Sequence, residues 1–168
     1  MPDIVPPGTK ITGNLLTYRS PYVVAHGALT SNSGSISSTT EVNIVATSSA
    51  VLTAGRAYRI EYHGLIQHGT ASLLDLCYLR LRRGAGGLIR NWQSVLVANR
   101  GTASRNMPIS LATIVTPAST ITDTVVLTAS WDTGSSATFV LSATAGTPGL
   151  LTVYDVGPAS DFPGIATF

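Results

Sequence analysis

The three histidines, His26, His63 and His68, are the side chains of this chain best suited to binding a metal or moving a proton. His63 and His68 stand five residues apart, which places them on opposite faces of a strand that runs through both. Glu61 is the nearest residue that could serve as a third ligand. We interpret the histidines as outward-facing polar residues of strands, and we predict neither a metal nor a cofactor.

The sequence lacks the usual patterns of nucleophilic catalysis. Gly-x-Ser-x-Gly does not occur, and the glycine-rich run 84–87 lacks the lysine and the strand-to-helix setting of a phosphate-binding loop. Cys77 stands in an apolar run, which is typical of a small buried hydrophobe. We interpret Asp75, in the same run, as the partner of an arginine on a neighbouring strand. These patterns predict that the chain is not an enzyme.

Six of the ten basic residues fall between Arg80 and Arg105. Arg80 and Arg82 share a face of one predicted strand, and Arg90 follows across a glycine-rich hairpin. Because the planar guanidinium group pairs well with carboxylates at interfaces, we favour contact of Arg80, Arg82 and Arg90 with another subunit. A solvated face and a polyanion-binding strip are the alternatives.

Aromatic residues offer a second kind of chemistry, the stacking of sugars. Trp92 and Trp131 are the two candidates for a stacking platform, together with several tyrosines. This leaves a carbohydrate-binding module as an alternative function, although the core is the usual place for such residues.

Alternation of apolar and polar residues defines the elements that must position these groups. In 57–66, Tyr58, Ile60 and Tyr62 fall on one face and Arg59 and Glu61 on the other. Turn residues separate this strand from the others. The predicted strands are Tyr22–Ala28, Glu41–Ala46, Ala57–Ile66, Leu74–Arg83, Leu88–Ala98, Ile109–Thr116, Thr122–Trp131, Ala137–Ser142 and Leu150–Asp155.

Composition agrees with an all-β fold. Ser and Thr together supply 40 of 168 residues, whereas only 11% are charged, so the exposed faces cannot be those of a helical bundle. Eight or nine strands with turns between them predict an antiparallel β-sandwich, jelly-roll-like, over residues 21–168. An immunoglobulin-like sandwich fits less well, because its Cys…Trp…Cys spacing is missing.

Residues 1–20 differ from the rest and predict a short N-terminal arm that is extended or contains one helical turn. Proline-rich backbone has little core of its own and needs a partner surface. The residues expected to contact another subunit or the particle are Pro6, Pro7, Ile11, Leu15 and Leu16.

The low charge also bears on partners and location. A net charge of +2 is too small for general attraction to nucleic acid or to an anionic membrane, so we predict neither partner. An uncharged surface on apolar strands favours a homo-oligomer. The N-terminus shows no signal-peptide pattern, and we expect synthesis in a reducing compartment.

Three segments resemble those of small virion proteins from phages of actinobacteria. Pro7–Leu16 resembles their Pro-Gly-Thr-x-Ile-Thr-x-x-Leu-Leu opening, and Val51–Ile60 their x-Leu-x-Ala-Gly-x-x-Tyr-x-Ile segment. Leu151–Pro158 is similar to their closing Val-x-Asp-Ile-Gly-Pro, with Val156 in place of Ile. The three segments cover about 28 residues, in the family's order.

The resemblance implies a jelly-roll-like domain displayed on the virion, often as a trimer, in contact with capsid or tail proteins. Such proteins serve as minor tail proteins, capsid decoration proteins or head fibres. No catalytic residues are implied. The resemblance leaves attachment to the head or to the tail open.

Overall fold

A computed structural model describes residues 21–68, 74–98, 105–132 and 138–168. The predicted arm, residues 1–20, lies outside this described part. The strands are β1 (Tyr22–Leu29), β2 (Val42–Ala46), β3 (Ala50–Leu52), β4 (Arg56–His68), β5 (Leu74–Arg83), β6 (Leu88–Ala98), β7 (Arg105–Thr116), β8 (Ile121–Asp123), β9 (Val125–Trp131), β10 (Phe139–Ser142), β11 (Gly149–Pro158) and β12 (Ala166–Thr167). A single 3-10 turn, Ala159–Asp161, accompanies them in the described residues.

The long strands form two sheets. One has the order β1-β11-β4-β7-β12, with β10 also bonded to β4, and the other has the order β2-β9-β5-β6. Every pairing is antiparallel except that of β12 with β7. The eight longest strands are β1, β2, β4, β5, β6, β7, β9 and β11. When they are numbered one to eight in chain order, the first sheet has the order 1-8-3-6 and the second has the order 2-7-4-5. This is the strand order of a jelly roll, so the predicted all-β sandwich is confirmed.

Strand β4 shows why the sequence folds in this way. Tyr58, Ile60 and Tyr62 point into the sandwich and are buried, while Arg59 and His63 are exposed on the other face. The predicted alternation is therefore confirmed. Apolar residues of β5 and β9, in the four-stranded sheet, close the core from the other side, and Phe139 and Leu141 of β10 extend the β4 side of it. At one end of it the Trp131 and Phe139 rings meet edge to face, with centroids 4.7 Å apart.

The predicted single strand Thr122–Trp131 is in fact two strands. β8 pairs with β3, whereas β9 pairs with β2 and β5, and the chain changes sheet at Thr124. The amide of Thr124 donates to Asp123 Oδ1, and its carbonyl accepts from the Gly84 amide. Both groups are thus bonded outside the β8 and β9 ladders, which allows the change of direction. The short strands β3 and β12 were not predicted, because two or three residues are too few to show a period.

The described helical content is too short and too polar to cross a membrane.

At Gly27 the backbones of the two sheets come close together. The His26 carbonyl accepts from the Ser48 amide, and a Cβ at Gly27 would overlap the carbonyl oxygen of Ala46. Because that atom is backbone, the strand itself would have to move.

We therefore expect Gly27→Ala to destabilise the fold by about 1–3 kcal/mol, the usual range for overpacking. Gly34→Ala is the matched control, because a Cβ there meets nothing within 4 Å. Urea denaturation measures both. Equal free energies of unfolding for the two variants would contradict this description of the contact between sheets.

Candidate functional site

Two of the three resembling segments lie side by side in the structure. Val51–Ile60 runs into β4 and Leu151–Pro158 forms most of β11, and the two strands pair so that Tyr58 faces Asp155. Arg56 Nε donates to Asp155 Oδ2 at 2.9 Å, and Arg56 Nη2 donates to Oδ1 at 2.5 Å. This two-pronged ion pair joins the segments at a site where the Asp155 side chain is only 4% exposed.

The backbone around this pair, which we call the motif junction, is adapted to it. A β-bulge between Asp155 and Gly157 turns the Gly157 amide toward Asp155 Oδ1, at 3.0 Å. Gly157 has φ 124°, a conformation that favours glycine. The Ala159 amide then donates to the Gly55 carbonyl at 2.8 Å. Gly55, Asp155 and Gly157, which match the family's patterns, thus take part in these contacts, whereas Arg56 stands at a variable position of its pattern.

Tyr22 of β1 also contacts the motif junction. Its hydroxyl donates to Asp155 Oδ2 at 3.4 Å, which ties β1 to the same carboxylate. Burial, and after it the charge of Asp155, raises the pKa of Tyr22. Arg56, Tyr22 and the Gly157 amide together satisfy Asp155, so the arrangement is structural.

Arg80 and Arg82 lie on the outer face of the four-stranded sheet, and both pair with Glu41 of the same chain. Arg82 binds the carboxylate with two bonds, Nε to Oε2 at 2.5 Å and Nη2 to Oε1 at 2.7 Å. Arg80 Nη1 lies 3.1 Å from Oε1. Thr128 donates its hydroxyl to Oε2 at 2.8 Å. The predicted contact with another subunit stays a prediction, but the guanidinium groups already have a partner in their own chain.

The pKa of Glu41 is lowered to about 2. The largest cause is the hydrogen bond from Arg82; burial opposes it, while Thr128 and the charges of both arginines reinforce it. Nearby, Arg83 Nε bonds Asp123 at 3.0 Å. Since carboxylates of the same chain pair with three clustered arginines, the alternative of a polyanion-binding strip loses its basis. Sequence reasoning missed Glu41, which precedes its partners by about forty residues.

Arg90 does not belong to the face that carries Arg80 and Arg82. Register shifts between β5 and β6 place Arg90 opposite Leu81, a core residue, whereas Arg80 lies opposite Asn91. Arg90 is exposed at this edge strand. The bulges change which residues share a face, so Arg90 is separated from Arg80 and Arg82. The predicted contact of Arg90 with another subunit or with the particle stays a prediction.

Trp92 and Trp131 lie in the core, with 6% and 1% of their surfaces exposed. Trp131 packs against Phe139 and His68. Neither tryptophan offers a free ring face to a sugar, so the stacking platform proposed for them is not present. Their size and apolar character place them between the sheets instead.

The histidines are placed differently from one another. His26 and His63 are exposed, as expected, but His68 is buried beside Trp131, which corrects its assignment as an outward residue. Within the described residues, His, Cys, Asp and Glu side chains form no group of three that could hold a metal ion. Cys77 is buried, as predicted.

One polar group on the outer face of the six-stranded sheet has the composition of a hydrolytic triad. His63 Nδ1 lies 3.0 Å from Ser110 Oγ, and His63 Nε2 lies 3.7 Å from Glu61 Oε2. However, Arg59 already pairs with Glu61. The amides of β4 around this group are used in ladders with both neighbouring strands, so within the described residues the β4 backbone supplies no pair of oxyanion donors. The group is a polar network on an open surface.

No protein-family model and no curated protein matches the chain. Among solved structures, that of infectious bursal disease virus, Gx strain, is 13% identical with a TM-score of 0.37, over 82% of this chain and 37% of that one. The D431N mutant VP2 protein of the same virus, in T=1 particles, is 15% identical with a TM-score of 0.36, over 82% and 36%. The chain spans little more than a third of the length of these virus proteins. Similarity at this level does not indicate what the chain binds or does.

We expect Asp155→Asn to cost roughly 3 kcal/mol of stability, because it leaves a buried guanidinium group without its carboxylate. Asp161→Asn, at an exposed acid, is the control. A double-mutant cycle with Arg56→Met in urea isolates the pair. A coupling energy near zero would show that the motif junction does not depend on it.

Acid should weaken the fold partly through Glu41. The Glu41 carboxylate is protonated near pH 4.5 in the unfolded chain, whereas in the folded chain it is protonated only near pH 2. The stabilisation is therefore complete above pH 4.5 and is lost as the pH falls toward 2. The advantage of the native chain over Glu41→Gln, on the order of 1–2 kcal/mol for a pair partly open to solvent, should shrink over this range in denaturant titrations. A constant difference would contradict the assignment.

Proposed function

We propose that this chain is a non-enzymatic structural protein of a bacteriophage particle. It is displayed on the particle surface as a homo-oligomer, a trimer, in the role of capsid decoration, head fibre or minor tail protein. Its site of action is the virion, and its partners are copies of itself and the major capsid or tail proteins.

The observation that carries this proposal is the motif junction. Two separate segments that resemble phage virion proteins pair here, and two positions that match the family's patterns, Tyr58 and Asp155, lie opposite each other in the β4–β11 ladder. Gly55 and Gly157, both within those segments, have positive φ angles there. The two segments build the same corner of the domain. A chance resemblance of both segments to the same family is therefore less reasonable. The resemblance therefore supports a shared domain type.

The surfaces support a role in assembly. In the described part of the chain, most charged side chains are engaged in ion pairs with one another, and only 11% of all residues are charged, so few charges oppose association. Such surfaces associate at little desolvation cost. The polar network at His63 lies on an open sheet face and lacks oxyanion donors, which favours a structural role over hydrolysis.

The proposal keeps the predicted arm, residues 1–20, as the attachment to the particle or to a neighbouring subunit. The domain that follows begins with β1 at an edge of the six-stranded sheet, so that an arm joined there leaves the rest of the sandwich undisturbed.

Size-exclusion chromatography with light scattering tests the oligomer. We expect a mass three times that of the 17.4 kDa chain at micromolar concentration. A chain that stays monomeric at every concentration would contradict the oligomer.

Immunogold labelling of intact particles tests the display. Antibodies raised against the folded chain should label particles evenly on the head or at the tail. Particles that are labelled only after disruption would contradict surface display.

A further inference from the structure

The side of β7 that faces away from β4 is an edge of the six-stranded sheet, and we call it the β7 edge. Within the described residues, β12 is the only strand that pairs with it, at Val115 and Thr116. The remaining stretch of β7, residues 105–114, is about 30 Å long at the usual rise per residue. Residues 106–116 include no charged residue and several Ile, Val and Thr, which favour strands. Edges of this kind pair readily with another chain unless a residue prevents it.

The backbone groups of alternate residues in β7 face this edge. The Thr116 carbonyl accepts from the Phe168 amide at 3.1 Å, so the backbone of Thr116 faces β12 rather than β4. The β4–β7 register contains no shift from Arg105 to Val115, so the facing direction alternates along the strand without interruption. Every even-numbered residue from 106 to 114 therefore turns its backbone nitrogen and carbonyl toward the β7 edge.

Pro108 stands within this row of even-numbered residues, and it is exposed. A proline has no N–H, and its ring occupies the place from which a neighbouring strand would receive one. Because the nitrogen of Pro108 faces away from β4, its pairing with Leu65 belongs to an unbroken ladder. The proline thus leaves the sheet intact and interrupts only its free edge.

We infer that the β7 edge fits β7 of a second copy, and that Pro108 keeps the two strands apart. An antiparallel pair with two-fold symmetry about Ser110 uses the whole stretch 106–114 and stops short of β12. In this arrangement Pro108 of each copy lies opposite Ala112 of the other. Two hydrogen bonds are then missing, and two proline rings stand between the strands.

A second β7 is the best-matched partner because identical edges are self-complementary under a two-fold axis, and an uncharged stretch brings no like charges together. The other long edges are interrupted. On β1 the His26 carbonyl accepts from the Ser48 amide, and the β5–β6 ladder has two register shifts. The inference goes beyond the proposed function, since it names a contact between copies that the fold prevents.

Analytical ultracentrifugation of two valine variants tests the inference. Pro108→Val restores the amide on the β7 edge. Ala112→Val is the matched control, because it adds the same side chain at another exposed position of β7 and leaves Pro108 in place. At micromolar concentration we expect Pro108→Val to have at least twice the mass of the native chain, and Ala112→Val to keep the native mass.

Cysteine crosslinking locates the contact. Ser110→Cys is combined with Pro108→Val and oxidised with glutathione disulfide, so that the two thiols at the symmetry axis form a disulfide. The native Cys77 is fully buried, so it does not compete. Val51→Cys with Pro108→Val is the control, since Val51 is 56% exposed on β3, away from the β7 edge. We expect at least a tenfold excess of covalent dimer through position 110 over position 51.

A native mass for Pro108→Val, or an equal rise in mass for both valine variants, would overturn the inference. So would equal crosslinking at positions 110 and 51, because the association would then lie elsewhere. Loss of folding in Pro108→Val, measured by circular dichroism, would also overturn it, since a residue outside the β4 ladder should be replaceable. Each variant is compared with the native chain, so a monomeric native chain refutes the proposed oligomer without affecting this test.

Discussion

Asp155 places a carboxylate where water scarcely reaches, and the fold is organised around keeping that charge satisfied. Arg56 supplies two hydrogen bonds from β4, the Gly157 amide supplies a third through the bulge in β11, and Tyr22 adds a fourth from β1. A buried carboxylate without these donors would cost several kcal/mol. One residue thus fixes the register of three adjacent strands at one end of the sandwich.

Charged side chains elsewhere in the described structure are also paired with one another. Few charged residues are available, and most of those described are paired within the chain: Glu41 with two arginines, Asp123 with Arg83, and Glu61 with Arg59. Pairing brings together residues that are distant in sequence, so it also specifies the topology. Among the described residues, large apolar side chains such as Val23, Val51 and Leu150 are exposed. Beside the paired charges, they favour the proposed contact with other protein copies.

The sequence predicts the fold class and the faces of its most regular strands, and it fails where long-range geometry decides. Alternation on β4 was sufficient to place Tyr58, Ile60 and Tyr62 in the core. The sequence alone does not decide whether Trp92 and Trp131 face the core or the surface, since an aromatic residue suits both a core and a binding platform. Bulges in the β5–β6 pair moved Arg90 off the expected face, and single-strand periodicity contains no information about them. The Glu41 pairing required knowing that β2, β9 and β5 are neighbours.

The copy number of this chain per purified phage particle is the measurement that bears most closely on the proposed display on the virion. Quantitative mass spectrometry of purified particles, with the major capsid protein as internal reference, gives this number. The account predicts a fixed stoichiometry: hundreds of copies for a protein of the capsid lattice, or a small multiple of three for one at the tail. Particles that contain none of the chain would contradict the account.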